Sequence, residues 1–258
     1  MLEDAQIERY SRQIILPQVG GRGQEKILRS RVYVDGDGLL AATALLYLVA
    51  AGVGTIGIAR SKAAPVFSAL AEQSLEPDEQ LVAHTLRRLN PDCTMVVHPD
   101  EGEHLTYDLV LATTDALHDE WYAQHKPFVW GAINGEDARL FVSRGDKADR
   151  PCLRCLFPEN PPRPYRATPP RRGEKTVPSW EGCRVAAGWV PADTGTADPL
   201  NSPYALFLGT QLVTEVLKII LQPEADGQPK LLAYTFPAFH CTEQTVEKNP
   251  HCAVCAPD

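Results

Sequence analysis

A glycine turn between an apolar strand pattern and an apolar helix pattern most restricts the folds open to this chain. Residues 31–35 (Arg-Val-Tyr-Val-Asp) are typical of a short buried strand, and residues 39–51 contain no charged side chain. Gly36 and Gly38 stand between them in the pattern Gly-x-Gly-x-x-Ala, and a second strand pattern follows at residues 53–59. A strand, a glycine turn, a helix and a strand in this order are typical of a doubly wound α/β sheet.

The same alternation continues along the 258 residues of the chain. Further strand patterns lie at residues 94–98, 107–112, 127–131, 139–143, 230–236 and 240–248, and helical patterns at 6–30, 66–90, 121–126 and 203–221. We therefore predict an α/β fold with a doubly wound, mainly parallel (mixed) Rossmann-like sheet. Residues 158–178 interrupt the pattern with seven prolines and are expected to form a mobile loop.

Charge and hydropathy exclude several classes of partner. The chain has 25 Lys and Arg against 33 Asp and Glu, a formal net charge of −8. Nucleic acids and anionic membrane surfaces attract basic faces, so neither is an expected partner. We find no apolar run long enough for a membrane span, and the polar N-terminus is unlike a secretory signal. The expected location is cytoplasmic, where thiols stay reduced.

Four of the seven cysteines form two Cys-x-x-Cys pairs, Cys152 with Cys155 and Cys252 with Cys255. Four thiolates in two short turns are a typical tetrahedral ligand set for Zn²⁺, and four protein ligands leave no open position, so the role would be structural. Redox-active or merely buried cysteines are the alternative. We expect residues 1–150 to be a Rossmann-like, nucleotide-binding-type half and 151–258 a zinc-anchored half of a single integrated domain.

The residues around the glycine turn leave its ligand open. Arg60 follows the second strand, where an arginine is typical of NADP-binding proteins, so an NADP-binding Rossmann protein is one hypothesis. Asp35 and Asp37 place two carboxylates where a phosphate would sit, and Leu39 stands where close backbone approach favours glycine. A Rossmann-type sheet that binds no nucleotide is therefore the other hypothesis.

Seven segments spread over nearly the whole chain resemble the ThiF/MoeB/HesA family, relatives of the ubiquitin-activating enzymes. The segments begin at Arg9 (Arg-Tyr-Ser-Arg-Gln-Ile-Ile-Leu-Pro), Gly23 (Gly-Gln-Glu-Lys-Ile-Leu-Arg-Ser-Arg-Val), Tyr47 (Tyr-Leu-Val-Ala-Ala-Gly-Val-Gly-Thr-Ile), Leu89 (Leu-Asn-Pro), Asp108 (Asp-Leu-Val-Leu-Ala-Thr-Thr-Asp), Pro151 (Pro-Cys-Leu-Arg-Cys) and Asn249 (Asn-Pro-His-Cys-Ala-Val-Cys). Together they are far more specific than the cysteine pairs alone.

The resemblance implies a mixed sheet of about eight strands in a homodimer or a pseudo-symmetric heterodimer. It implies binding of MgATP and adenylation of the C-terminal glycine of a ubiquitin-like sulfur carrier, whose tail lies under a crossover loop, here residues 158–185. Cys183 lies where several members have a cysteine that handles the activated carrier, although an inert loop thiol is an equal alternative. Arg12 matches an arginine that reaches into the other subunit's ATP site, and Asp115 matches the magnesium-side aspartate.

Departures from the family pattern concentrate at the ATP site. Arg60 and Lys62 replace an acidic pair, an Asn-x-x-Arg-Gln segment is missing, and Asp78 stands about where a phosphate-binding lysine is expected. One positioned polar group can contribute about two to three orders of magnitude in rate. We therefore predict a pseudo-adenylyltransferase that dimerises and binds or helps activate a carrier or peptide C-terminus.

Three alternatives to this function remain open. An active but divergent adenylyltransferase would bind ATP through substitutes such as Arg60 and Lys62. The other two are the NADP-binding protein and a purely structural zinc protein. For Arg12, a surface salt bridge is the alternative to a role in a second subunit.

Overall fold

The computed structural model describes most of the sheet and the helices packed on it. The described residues are 1–61, 63, 66, 86–99, 101–114, 118–145, 150–156, 201–223, 229–236 and 238–256. The helices are α1 (Asp4–Ile14), α2 (Gly20–Arg29), α3 (Gly38–Ala51), α4 (His118–Ala123) and α5 (Asn201–Leu221), with 3₁₀ helices at Glu101–Thr106 and Leu153–Leu156. The strands are β1 (Arg31–Asp35), β2 (Thr55–Ala59), β3 (Thr94–His98), β4 (Leu109–Ala112), β5 (Phe128–Asn134), β6 (Asp137–Ser143), β7 (Lys230–Thr235) and β8 (His240–Thr245).

All eight strands form one mixed sheet in the order β3-β2-β1-β4-β5-β6-β7-β8. The strands from β3 to β5 pair in parallel, and those from β5 to β8 pair antiparallel. The change of direction begins at the short turn between β5 and β6, where Asn134 pairs with Asp137 and Gly135 has a φ of 60°. Because a two-residue turn can join only antiparallel strands, the predicted mixed Rossmann-like sheet is confirmed with its antiparallel part at one end.

Helices α3 and α5 cover one face of the sheet. Val32 and Val34 of β1 point into this layer, whereas Tyr33 points to the opposite face, as the alternation of side chains along a strand requires. Glycines let the elements approach closely: a Cβ at Gly209 would lie 2.8 Å from Thr43, and one at Gly131 would lie 2.8 Å from Leu212.

The apolar character of α5 follows from its position in this layer. Residues 203–221 are the one stretch among the described helices that is long and apolar enough to cross a bilayer. The helix instead packs against α3 and against β4, β5 and β6. Its length and hydropathy are therefore those of a core helix.

Helix α1 is fixed to the far end of α3 by a buried tyrosine. Tyr10 is 1% exposed and packs on Gly52, where a Cβ would come within 2.7 Å of the ring. The Tyr10 hydroxyl donates to Asp92 Oδ2 at 3.0 Å and accepts from Asn90 Nδ2, which also donates to the carbonyl of Val49 at 2.7 Å. This network joins α1, α3 and the residues that lead into β3.

The topology places the glycine turn at a switch point of the sheet. From β1 the chain crosses through α3 to β2 on one side, while β4 lies on the other side of β1. In open α/β sheets, ligands bind in the crevice at the carboxyl ends of the strands at such a point. The ends of β1 and β4 are therefore the first place to look for a site.

Candidate functional site

The glycine turn packs tightly against the residues that follow β4. A Cβ at Gly36 would lie 2.0 Å from Thr113 Oγ1, so no larger residue fits there. Gly38, the first residue of α3, has a φ of 66°, which favours glycine. The backbone N–H of Thr113 donates to the carbonyl of Asp35 at 2.8 Å. The predicted glycine residues are therefore required by the local backbone.

Two carboxylates flank this turn. Asp35 is 5% exposed, and its Oδ2 accepts a hydrogen bond from Thr114 Oγ1. Asp37 occupies the N-cap position of α3, but its side chain does not cap the helix. A helix N-terminus attracts anions, whereas carboxylates at the same place repel them. The turn thus combines one feature that favours a phosphate with two that oppose it.

The other predicted nucleotide residues are only partly visible. Arg60 directly follows β2 at the carboxyl edge and is exposed. Asp115, Lys62, Asp78 and the loop cysteine Cys183 lie outside the described residues, as does the whole predicted crossover loop, residues 158–185. Their predicted roles stay predictions.

In the segment that begins at Arg9, two residues fix helix α1 to the rest of the fold and a third is exposed to solvent. Arg9 Nη1 bonds to Asp92 Oδ2 at 2.5 Å, on the same carboxylate that accepts from Tyr10. Arg12, one turn further along α1, is exposed and forms no ion pair with any residue that the structure describes. The surface salt bridge offered as an alternative is thus not formed within this part of the chain.

The two cysteine pairs meet in one cluster, although 96 residues lie between Cys155 and Cys252 in the sequence. The four Sγ atoms all lie within 4.8 Å of one another, with Cys152 to Cys252 at 3.6 Å and Cys155 to Cys255 at 3.3 Å. Four sulfurs around one zinc ion at about 2.3 Å would be about 3.8 Å apart. The cluster therefore fits a metal ion such as zinc.

The thiols of this cluster are not equivalent. A hydrogen bond from the Cys152 thiol, helped by the backbone N–H of Asn249, lowers the pKa of Cys155 to about 5. The same bond raises the pKa of Cys152, and burial raises that of Cys255 to about 12. A thiolate at Cys155 is a suitable starting point for a cation, whose binding would displace the remaining thiol protons of the cluster.

Sequence analysis did not identify Thr114 as part of the site. Its hydrogen bond to Asp35 joins residues 79 positions apart, so no local pattern encodes it. The signal that could have indicated it is topological: Thr113 and Thr114 follow β4, and the carboxyl ends of neighbouring parallel strands meet at one edge.

The comparisons with known proteins agree with this architecture. A family model described as the ThiF family matches residues 10–60 and 69–254. A sulfur carrier protein adenylyltransferase from Thermus thermophilus is 32% identical, and the match covers 97% of this chain and 91% of that protein. An adenylyltransferase and sulfurtransferase, uba4, from Aspergillus niger is 30% identical over 99% of this chain, which spans only 54% of the fungal protein.

Solved structures show the same fold at low sequence identity. E. coli MccB with MccA-N7isoASN aligns with a TM-score of 0.63 at 14% identity, over 97% of this chain and 75% of that one. PaaA aligns with a TM-score of 0.65 at 15% identity, over 96% of this chain and 85% of that one. The family model covers most of the sequence, and the chain therefore belongs to the ThiF family.

Proposed function

We propose that this chain binds the C-terminal tail of a sulfur carrier or a peptide and does not adenylate it alone. The observation that carries the proposal is the buried carboxylate of Asp35 beside the glycine turn. A triphosphate seated at the N-terminus of α3 would have to approach both this group and Asp37. Coulomb repulsion in a cleft is poorly screened, so the site disfavours MgATP.

The kind of partner is supported by the relatives. The Thermus relative is named for its action on a sulfur carrier protein, and an MccB structure is described as a complex with N-formylated MccA. A carrier tail or a short peptide is therefore the ligand class to test first. The free thiols of the six described cysteines suit a cytoplasmic location.

Zinc is the metal we propose for the four-cysteine cluster. The ligand set consists of four cysteines, three of them buried, that come from two distant segments, with Cys252 and Cys255 after β8 and the other pair after β6. The residues that would hold the ion are Cys152, Cys155, Cys252 and Cys255, and four ligands leave no position for substrate. The ion would fix the C-terminal segment to the centre of the fold.

An uncharged surface supports the proposed dimer. Helix α3 has no charged residue, yet Leu46 and Tyr47 are 37% and 47% exposed, and Leu206 on α5 is 48% exposed. Phe239, 61% exposed, packs on Phe207 at 4.9 Å between ring centroids. Exposed apolar side chains on two helices that pack together are typical of surfaces that another subunit covers.

The second subunit gives Arg12 a role. Arg9 and Tyr10 hold α1 firmly through Asp92, and this leaves the next turn of the helix facing outwards. An exposed guanidinium on a fixed helix can serve the nucleotide site of a partner, either a second copy or an intact ThiF-family subunit. We propose Arg12 for that role.

One observation favours an active adenylyltransferase as the second candidate. The glycine turn and the N-terminus of α3, which would receive phosphates, keep their geometry despite the substitutions around them. Titration calorimetry with MgATP separates the two candidates, since binding in the micromolar range supports the active enzyme. NADPH in the same experiment tests the dinucleotide hypothesis.

A further inference from the structure

Helix α4 lies beside the four-cysteine cluster and contacts the first Cys-x-x-Cys turn at two places. Asp119 accepts two hydrogen bonds from Arg154, which lies inside that turn: Nε to Oδ1 at 3.0 Å and Nη2 to Oδ2 at 3.4 Å. The Arg154 side chain is 16% exposed and that of Asp119 is 44% exposed. A forked pair of this kind fixes the orientation of a guanidinium more strongly than a single bond does.

Tyr122 makes the second contact, one turn further along α4. Its hydroxyl donates to the carbonyl of Arg150 at 2.8 Å, two residues before Cys152. The ring packs against the cysteine cluster.

The two contacts act on both cysteine pairs. Residues at positions i and i+3 lie on one face of a helix, so Asp119 and Tyr122 can both contact the segment of residues 150–155. Asp119 acts on the first pair through Arg154, whereas Tyr122 bonds to the chain before the first pair and packs its ring on the cluster that both pairs form. Trp121, 0% exposed, lies between them in the sequence and anchors α4 in the core. A six-residue helix is not stable alone and depends on such contacts.

We propose that Asp119 and Tyr122 are positioning residues that set how tightly the cluster retains its metal ion. Asp119 fixes Arg154, which lies between the ligands Cys152 and Cys155, and Tyr122 fixes the carbonyl of Arg150 just before them, so both residues hold the ligand-bearing backbone in place. Groups that orient metal ligands typically change metal affinity by about 10- to 100-fold. The inference rests on the proposed zinc site.

The test measures metal release from the full chain. Zinc-loaded protein is mixed with excess chelator, and the release rate is followed for Tyr122→Phe and Asp119→Asn. Tyr47→Phe and Asp4→Asn are matched controls at exposed positions on α3 and α1. We expect both test variants to release zinc about 10-fold faster or more, with the controls unchanged and Asp119→Glu partly restoring retention.

A spectroscopic measurement separates positioning from general loosening. In the cobalt-substituted protein, loss of the hydroxyl in Tyr122→Phe should shift the sulfur-to-cobalt charge-transfer band, because the backbone just before Cys152 loses the bond that positions it. The proposal would be overturned if the two test variants bind metal but release zinc at the wild-type rate, and the charge-transfer band of Tyr122→Phe is unchanged. Wild-type protein that binds neither zinc nor cobalt would overturn the zinc site itself, together with this inference.

Discussion

At the scale of single residues, the carboxylate of Asp35 sets the character of the glycine turn. Thr114 Oγ1 donates to it, and burial keeps water from screening it. The carboxylate lies next to the N-terminus of α3, where a phosphate would otherwise be favoured. One side chain can therefore oppose the anion-binding capacity that the backbone supplies.

Removing this charge should improve nucleotide binding. Asp35→Asn keeps an oxygen that accepts from Thr114 but removes the negative charge, so we expect affinity for MgATP to rise by at least about tenfold, or 1.4 kcal/mol. Titration calorimetry on wild type and variant measures it. Asp4→Asn, at an exposed position of α1, controls for net charge. Equal affinities of wild type and Asp35→Asn would show that this carboxylate does not control the site.

Arg12 and Tyr10 should differ sharply in their effect on stability. Arg12→Ala removes an exposed side chain that bonds to no described residue, so the free energy of unfolding should change by less than about 0.5 kcal/mol. Tyr10→Phe removes buried hydrogen bonds with Asn90 and Asp92 and should cost about 1–3 kcal/mol. Chemical denaturation of both variants measures this. A large loss of stability in Arg12→Ala would mean that the residue has a structural role within its own chain.

At the scale of elements, the cysteine cluster joins the segment after β8 to the segment after β6. Cys252 and Cys152 are both buried, and their sulfur atoms lie 3.6 Å apart. A metal ion held by these sulfur atoms would tie the two segments together. The metal is therefore expected to contribute to folding itself.

Loss of the metal should loosen the C-terminal segment. For Cys252→Ser, or for wild type treated with a strong chelator, we expect a fall in Tm of several degrees or more, because metal binding is coupled to folding. Elemental analysis should give one zinc per wild-type chain. Cys241→Ser, at an exposed cysteine outside the cluster, should keep both zinc and Tm. Purified wild-type protein without zinc, or a disulfide within the cluster, would contradict the assignment.

The same elements show what the sequence could and could not predict. The predicted limits of β1 and β3 agree with the structure because each is a continuous strand pattern bounded by polar or turn residues. Strand β2 was predicted from Val53, but it begins at Thr55, since Gly54 packs against the backbone of Leu28. Strand β5 extends beyond the predicted end at Gly131 because its pairing with β6 continues to Asn134.

Side-chain contacts that join distant segments could not be predicted from the sequence. The helix predicted at residues 121–126 lies at His118–Ala123, and His125 then takes a φ of 52° that ends the helical backbone. The pairing of Arg154 with Asp119 depends on this placement. The cysteine cluster was predictable, because the spacing within each pair encodes it.

At the scale of the whole molecule, the apolar side chains exposed on α3 and α5, together with Phe239, form the proposed dimer surface. Phe239 has a φ of 51°, an unfavourable conformation for a bulky side chain, and it is nevertheless 61% exposed. A dimer would bury this residue together with Leu46 and Leu206.

Charges placed on this face should dissociate the dimer. We expect wild type to be dimeric by light scattering at high concentration, and Leu46→Glu with Leu206→Glu to be monomeric, because a carboxylate buried in an interface is costly. Leu89→Glu is the control, since Leu89 is 47% exposed and belongs to neither α3 nor α5. A strictly monomeric wild type, or a dimer that tolerates both charges, would contradict the proposed surface.

The central claim is that the chain, although a member of the ThiF family, does not adenylate on its own. Its direct test is calorimetric titration of zinc-loaded wild-type protein with MgATP, followed by an assay of pyrophosphate exchange with and without a carrier or peptide ending in glycine. We predict a Kd weaker than about 1 mM and no exchange in either case. Micromolar binding of MgATP, or exchange that depends on the carrier, would contradict the claim and establish an active adenylyltransferase.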